Sequence, residues 1–440
     1  MKLQSHNFEY GKSFDVTSRK KLEEYLNAIW ENHKLTDNRV FEENREISNQ
    51  CFLSFDGNTA RAKNYIGFIQ GENDHIEIYP KVFKDQEIAT KDILKHLFFW
   101  FDYCRKWRFP FSDVNLDNLE DVELPELVTN LIANQIFEVV SASPISLYEE
   151  VEEAMLMPKG TLNFNRYINN SLSNGNFHVL ECDYEPLLFD NRLNRVIKYV
   201  TRILLSKAKF IETHRKLEEI IFLLDDVEDC YCTSVMLTGI KLNTFFLDYQ
   251  NVIGLCKMVL DQQVYSNDED EQSHWSLLLP MEYVFEDFIA GFLEKHFSND
   301  WKVEYQKSDL YLTDKKVFQM QHDIFLTLKS KPSIAVIVDT KYKLRGKFKA
   351  DPKKGVSQAD LYQMTSYAFR RGCNNVLLLY PNQGTKCEEK DTFSISSFNN
   401  SQKISVHAAE VPFWDINGYE IITEKLKNNL NELLNAFKNG

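Results

Sequence analysis

Val336-Ile337-Val338-Asp339-Thr340-Lys341-Tyr342 is the stretch that decides the fold. Ile334 to Val338 is apolar throughout, which suits a central strand covered on both faces. Asp339 ends that strand and Lys341 follows two residues on. Positions i and i+2 of a strand point the same way, so Asp339 and Lys341 share a face. A carboxylate at the end of a buried strand is costly unless it is paired or metal-bound. Upstream, Phe318–Leu328 alternates: Phe318, Met320, His322, Ile324, Leu326 and Leu328 form one face, and Asp323 lies on the other. Carboxylates from two adjacent strands can converge on a hard cation such as Mg2+, which takes oxygen ligands and keeps several waters. A bound metal ion lowers the pKa of water, and a lysine on the same face can orient that water or stabilise developing charge. Asp323, Asp339 and Lys341 therefore form the set needed for phosphodiester hydrolysis, with one or two Mg2+ ions as cofactor. An isolated D-x-K often does no more than pair with itself or cap a turn. Here it ends an apolar strand and follows a strand Asp by 16 positions.

Moving outward, Pro280 stands at the first position of a helix. Met281, Val284, Phe285, Phe288, Ile289, Phe292 and Leu293 then trace its apolar stripe. Glu282 and Glu286 flank that stripe. Glu286 is either a third metal ligand or part of a solvated edge, and Glu282 reads as edge. Trp301–Gln306 reads as a strand. Beyond the D-x-K, Ser357 caps a helix with Asp360 three residues on, as in a capping box, and Gly372 closes it. Gln363 and Tyr367, four apart, share one face of that helix. Asn375–Tyr380 is a buried strand stopped by Pro381, and a last helix spans Glu420–Phe437. The order is α-β-β-β-α-β. Lys343, Arg345, Lys347, Lys349, Lys353 and Lys354, broken by Asp351, form a run suited to phosphate contact, or a solvated loop. His322 reads as packing.

Residues 1–90 read as a β-rich module. Ser18–Trp30 is a helix, Cys51–Phe55 is a strand ending at the Asp56-Gly57 turn, and Tyr65–Gln70 and His75–Tyr79 form a hairpin. From 91 to 265 the period is helical, over Lys91–Tyr103, Leu124–Ser141, Asp190–Ser206, Thr213–Leu224 and Asn243–Asp261. Ser266–Ser273, acidic and free of apolar residues, reads as a linker. The fold class expected is α+β and multidomain: 1–90, a mainly helical 91–265, and 275–440.

The 440 residues carry a net charge of −14, with 43 % hydrophobic and 26 % charged residues, which excludes wholesale disorder. The charge is uneven. Trp301 to Arg371 holds 15 Lys and Arg against 7 Asp and Glu, leaving −22 for the rest. A basic segment in an acidic chain suits one region meeting an anion. No apolar stretch of about 18 residues exists, so no membrane span is expected. The polar N-terminus lacks a signal-peptide core. The eight cysteines are scattered and read as free thiols of a reducing cytoplasm. Gly11-Lys12-Ser13 lacks the earlier glycine of a Walker A loop, since position 6 is His6. If nucleotide hydrolysis belongs to this system, another chain supplies it.

Several segments together resemble the McrC family, the nuclease subunits of McrBC-type, modification-dependent restriction systems. They are Met281-Glu282-Tyr283-Val284-Phe285-Glu286-Asp287-Phe288, Gln321-His322-Asp323-Ile324, Val336–Tyr342 and Asp360-Leu361-Tyr362-Gln363-Met364. Upstream, Gly160 with Leu162-Asn163-Phe164 resembles the family's G-x-[ILV]-x-F segment, and Asp190–Arg195 resembles its helix start. The Gln363…Tyr367 spacing after D-x-K is similar to the RecB-like branch of the PD-(D/E)XK nucleases. His322 stands where that superfamily often has Pro, which is no ligand. The resemblance implies a PD-(D/E)XK domain over 275–440 and a partner-docking role for 91–265. It also implies an AAA+ McrB-type GTPase or ATPase hexamer as partner and double-stranded DNA with modified cytosine as substrate. Asp323 and Asp339, with Glu286, would hold the metal, Lys341 would assist the attacking water, and Gln363 and Tyr367 would support the site. Two rivals stay open: a nuclease whose motor reads an unmethylated sequence, and a non-catalytic adaptor that stimulates an AAA+ ring.

Overall fold

The computed structural model describes residues 3–36, 49–71, 74–105, 123–262, 275–345, 351–384, 387, 390–396 and 402–438. The chain divides into two units, Met1–Leu124 with Gln262–Gly440, and Pro125–Asp261. This differs from three domains in succession. The β-rich module, residues 91–124 and the C-terminal region make one unit, and the middle segment is inserted into it. The acidic stretch Ser266–Ser273 lies outside the described residues.

The first unit opens with β1 (Leu3–Phe8), β2 (Phe14–Asp15), α1 (Arg19–Thr36), β3 (Leu53–Asp56), β4 (Thr59–Ala62), β5 (Tyr65–Gln70), β6 (Asp74–Tyr79) and α2 (Thr90–Tyr103). In α1, Leu22, Leu26 and Ile29 fall at helical spacing and are buried with Trp30 against Phe14, Phe52, Ala60 and Ala62. The β3–β4 turn uses Gly57 at φ 58°, as its Asp-Gly pair requires. β1 pairs in parallel with β6, and β6 pairs antiparallel with β5.

The second unit begins within α3 (Leu124–Ala142). It continues through β7 (Leu147–Tyr148), β8 (Val151–Met155), β9 (Thr161–Leu162), β10 (Leu180–Tyr184), β11 (Leu187–Leu188), α4 (Arg192–Lys207), α5 (Ile211–Leu223) and α6 (Tyr249–Asp261). Its four long helices match the expected helical period. The small sheets β8-β10-β9 and β11-β7 between α3 and α4 go beyond the mainly helical reading of this region. Asn191 caps α4: its Oδ1 accepts from the backbone N–H of Leu193 and Asn194.

The first unit resumes with β12 (Trp275–Pro280), α7 (Met281–Phe297), β13 (Trp301–Tyr311), β14 (Gln319–Leu328), β15 (Ala335–Thr340), α8 (Gln358–Arg371), β16 (Asn375–Pro381), β17 (Asp391–Ser396), β18 (Lys403–Val411) and α9 (Ile422–Lys438). Pro280 ends β12 and stands at the helix cap, one position before the first helical residue. β12 completes the N-terminal sheet, in the order β1-β6-β5-β12. Gly67 of β5 has φ 126°, and a Cβ there would lie 1.9 Å from the Leu277 carbonyl oxygen, so only glycine lets β5 and β12 meet. Gly291 does the same for α7 against α2, where a Cβ would lie 1.9 Å from the Tyr103 carbonyl oxygen.

The expected α-β-β-β-α-β order is present from α7 to β16. β17 and β18 extend it to a six-stranded sheet in the order β13-β14-β15-β16-β18-β17. β15, β16 and β18 run parallel and the other pairs antiparallel. α8 covers one face of the sheet: Met364 and Ala368 pack with Phe325, Ile337, Val376, Leu378 and Tyr380. Phe318 departs from the expected face. It precedes β14, has φ 60° and is exposed. The fold is thus mixed α+β with several sheets.

Candidate active site

β14 and β15 pair antiparallel up to Ile324↔Val338. Asp323 and Asp339 occupy the next cross-strand positions, on the face that carries Phe325 and Ile337. Asp339 is 3 % exposed. Its Oδ2 forms an ion pair with Lys341 Nζ at 2.9 Å, without the alignment of a full hydrogen bond. Burial, and then the charge of Asp323, push the Asp339 carboxyl up to about 8, against the pull of Lys341. Burial alone would lower the Lys341 ammonium, but Asp339 and Asp323 outweigh it and hold it above its ordinary range. Thr340 locks Asp323 by donating to its Oδ2 from the backbone N–H at 2.9 Å and from Oγ1 at 3.1 Å. Asp323, Asp339 and Lys341 are therefore brought together.

The donor chemistry fits a hard cation. Asp339 bears a carboxylate that its surroundings disfavour, and a cation would relieve it. Among the described residues no group of three or more His, Cys, Asp or Glu side chains is gathered to hold an ion. Two protein carboxylates with water or phosphate oxygens are the usual Mg2+ arrangement. Glu286 is not gathered with that pair: it is buried in α7 and accepts from Gln306 Nε2 at 3.3 Å. Glu282 is exposed, as a helix edge should be.

Asp360 is a carboxylate that the sequence offered only as a capping residue. Its backbone N–H donates to Ser357 Oγ, while its side chain turns toward the site. There it takes Lys343 Nζ on both oxygens at 3.2 Å, and its charge acts on Asp339 and Lys341. Tyr380 was also missed. It lies two residues past Leu378, the parallel partner of Asp339, and so shares that face. Its buried hydroxyl has no hydrogen-bond partner among the described residues. Burial, then the charge of Asp360, raise its pKa. Strand parity beside the D-x-K was the signal that could have found it.

Gln363 and Tyr367 share a face of α8, and Gln363 Nε2 reaches Tyr367 OH at 3.5 Å. Gln363 is exposed, while the Tyr367 ring stacks on buried His322 with centroids 5.1 Å apart and planes at 8°. Arg371 Nε donates to His322 Nε2 at 2.9 Å. Burial, with help from Arg371, lowers His322 to about 4, so it is a neutral packing residue.

The basic run divides. Arg345 is a correction to the phosphate-contact expectation, because its side chain is 0 % exposed. Its guanidinium donates to Asp391 Oδ2 at 2.6 Å, to the Lys354 carbonyl at 2.7 Å and to the Ala408 carbonyl at 3.4 Å. Lys343 is half exposed despite its bond to Asp360. Lys353 and Lys354 are exposed. Lys347 and Lys349 lie outside the described residues. Both upstream motif segments are structural. Asn163 caps a short helical turn and donates to Asp183 Oδ2, and Asn191 caps α4.

The fold and this centre define an α+β protein with an acid-and-lysine site where the pairing of two neighbouring central strands ends. Residues 60–381 match the family described as McrBC 5-methylcytosine restriction system component, and the chain belongs to that family. This is the assignment to which the McrC-like motifs pointed. No curated protein matches the chain. A chain from a half-complex of the tetradecameric assembly of Thermococcus gammatolerans McrB AAA+ hexamers with bound McrC is similar in fold. It has a TM-score of 0.61 at 16 % identity, over 98 % of this chain and 100 % of that one. A chain of the Thermococcus gammatolerans McrBC complex covers 67 % of this chain and 88 % of its own length, at TM-score 0.46 and 16 % identity.

Proposed function

We propose that this chain is the DNA-cleaving subunit of a McrBC-like restriction system, a Mg2+-dependent endonuclease with a PD-(D/E)XK-type site. The observation that carries the reading is the buried Asp339–Lys341 ion pair at the end of β15, beside Asp323 of the adjacent strand β14. Asp323 and Asp339 would hold the cation, which supplies charge neutralisation at the phosphate and a more acidic water. Lys341, tethered on the same face, orients the attacking water and offsets the charge developing on the phosphate oxygens. Thr340 fixes Asp323. Gln363 is exposed on α8, which packs beside the site, and Tyr367 is seated there by His322.

The partner in this reading is a ring-forming AAA+ NTPase of the McrB type, which reads modified-cytosine DNA and onto which this chain docks. The similar Thermococcus gammatolerans fold comes from an assembly of McrB AAA+ hexamers with bound McrC. The second unit suits a docking role, since Leu156, Met157, Phe164, Phe177, Phe222 and Phe245 are all exposed. No helix among the described residues is long and apolar enough to cross a membrane. The test is Asp339→Ala in the assembled complex. Cleavage of modified double-stranded DNA should vanish, while the variant stays folded and partner binding stays at the wild-type value. Burial and the charge of Asp323 disfavour the Asp339 carboxylate, which limits what the fold loses with it. Full cleavage by this variant would overturn the assignment of the site.

A further inference from the structure

Glu9 follows directly on β1, and its side chain is 0 % exposed. Oε2 accepts from the Lys81 backbone N–H at 3.0 Å and from the Tyr342 hydroxyl at 2.8 Å. Lys81 completes a clamp. Its ammonium donates to the Tyr342 carbonyl at 2.9 Å and lies 4.2 Å above the Tyr342 ring. Tyr342 is itself buried, with the rings of Phe285 and Phe413 at 6.0 Å and 6.3 Å.

Tyr342 is the residue after Lys341. The Lys341 N–H donates to the Leu379 carbonyl at 2.8 Å, and the Lys343 N–H donates back to the Lys341 carbonyl at 2.7 Å. The Lys341 backbone is thus held on one side by β16. On the other side it is held by a carboxylate 333 positions away from Tyr342 in sequence.

Stability alone does not explain this arrangement. Glu9 Oε1 is buried and has no hydrogen-bond partner among the described residues. Burial raises the carboxyl to about 7, although the charge of Lys81 pulls it down. A buried polar atom left unpaired is destabilising, and an apolar pair in its place is often neutral or better. Phenylalanine at position 342 would fill the same aromatic space. What the hydroxyl and carboxylate add is direction.

We propose that Glu9 is a positioning residue for Lys341, acting through Tyr342. The N-terminal strand thereby sets the geometry of the acid-and-lysine site. The proposal rests on the nuclease reading, because the work of Lys341 is defined there. Displacing a reacting group by about 1 Å can cost about 100-fold in rate.

The experiment measures single-turnover cleavage and DNA affinity of the assembled complex with modified double-stranded DNA and Mg2+. Tyr342→Phe removes one hydroxyl and keeps the ring. Glu9→Ala removes the acceptor, and Glu9→Gln restores an acceptor oxygen without charge. Tyr342→Phe and Glu9→Ala should each slow cleavage by about 10- to 100-fold, with DNA affinity and melting temperature unchanged. Glu9→Gln should recover most of the rate. Wild-type rates in Tyr342→Phe would overturn the proposal. So would a rate loss that tracks a fall in melting temperature. Asp339→Ala run alongside separates the two levels. If it is inactive while Tyr342→Phe is fully active, only the positioning role falls; if it is active, the nuclease reading falls and takes the positioning role with it.

Discussion

Lys341 and Arg345 are four positions apart and have opposite tasks. Lys341 keeps its ammonium on Asp339 at the site, whereas Arg345 spends its guanidinium on Asp391 and two backbone carbonyls inside the sheet. A buried cation that loses its own partner, or a partner that loses its cation, is strongly destabilised. Arg345→Met should therefore lower unfolding free energy by about 3–5 kcal/mol, read by chemical denaturation. It should leave the salt dependence of DNA binding unchanged, because the buried guanidinium reaches no phosphate. The D-x-K was legible because strand parity and an apolar run fix where its side chains point. The burial of Arg345 was not legible. Its partners, Asp391 and Ala408, lie on β17 and β18, and neither strand announces itself in the sequence. Tyr380 and Asp360 escaped notice for a related reason: each has a complete local explanation, as a core aromatic and as a helix cap.

The packing of β14 on α8 ties the strand that bears Asp323 to the helix that bears Gln363 and Tyr367. It consists of His322 stacked on Tyr367 and bonded by Arg371. His322 is held at about 4 in the fold, below its ordinary 6.5. The unfolded chain therefore binds more protons between those values, and stability falls as pH drops through that window. The contribution is complete above about 6.5 and lost near 4. Melting temperatures measured from pH 7 down to 4 should fall less steeply for His322→Gln than for the wild type. At this scale the long periodic elements were readable: α1, the four helices of the second unit, α7, α8, β14, β15 and β16. β12 was overlooked because it is a short apolar run wedged between an acidic stretch and a helix. The small strands β8–β10 carry little alternation and few buried side chains, so periodicity had nothing to detect.

Across the whole molecule the net charge is −14, while the segment around the site is basic. Encounter with DNA then depends on a few exposed lysines, of which Lys343, Lys353 and Lys354 are described. Changing all three to Gln should weaken binding of the assembled complex about equally on modified and unmodified duplexes. The log–log salt slope should shrink by about 0.9 for every phosphate that one of these lysines neutralises. A slope that does not move would mark them as solvated, and altered site preference would place base reading in this chain. The division into units was the least legible feature, because nothing local tells β5 that its partner is β12. That pairing has a consequence in time. Gln70 and Trp275 face each other across the sheet, yet roughly 200 residues separate them. On a ribosome adding about 5–20 residues per second, β5 waits about 10–40 s for its neighbour. During that wait the whole of Pro125–Asp261 emerges and can fold. The nascent chain thus finishes its inserted unit first and leaves an apolar strand edge open until β12 arrives, the interval in which a chaperone would be needed most.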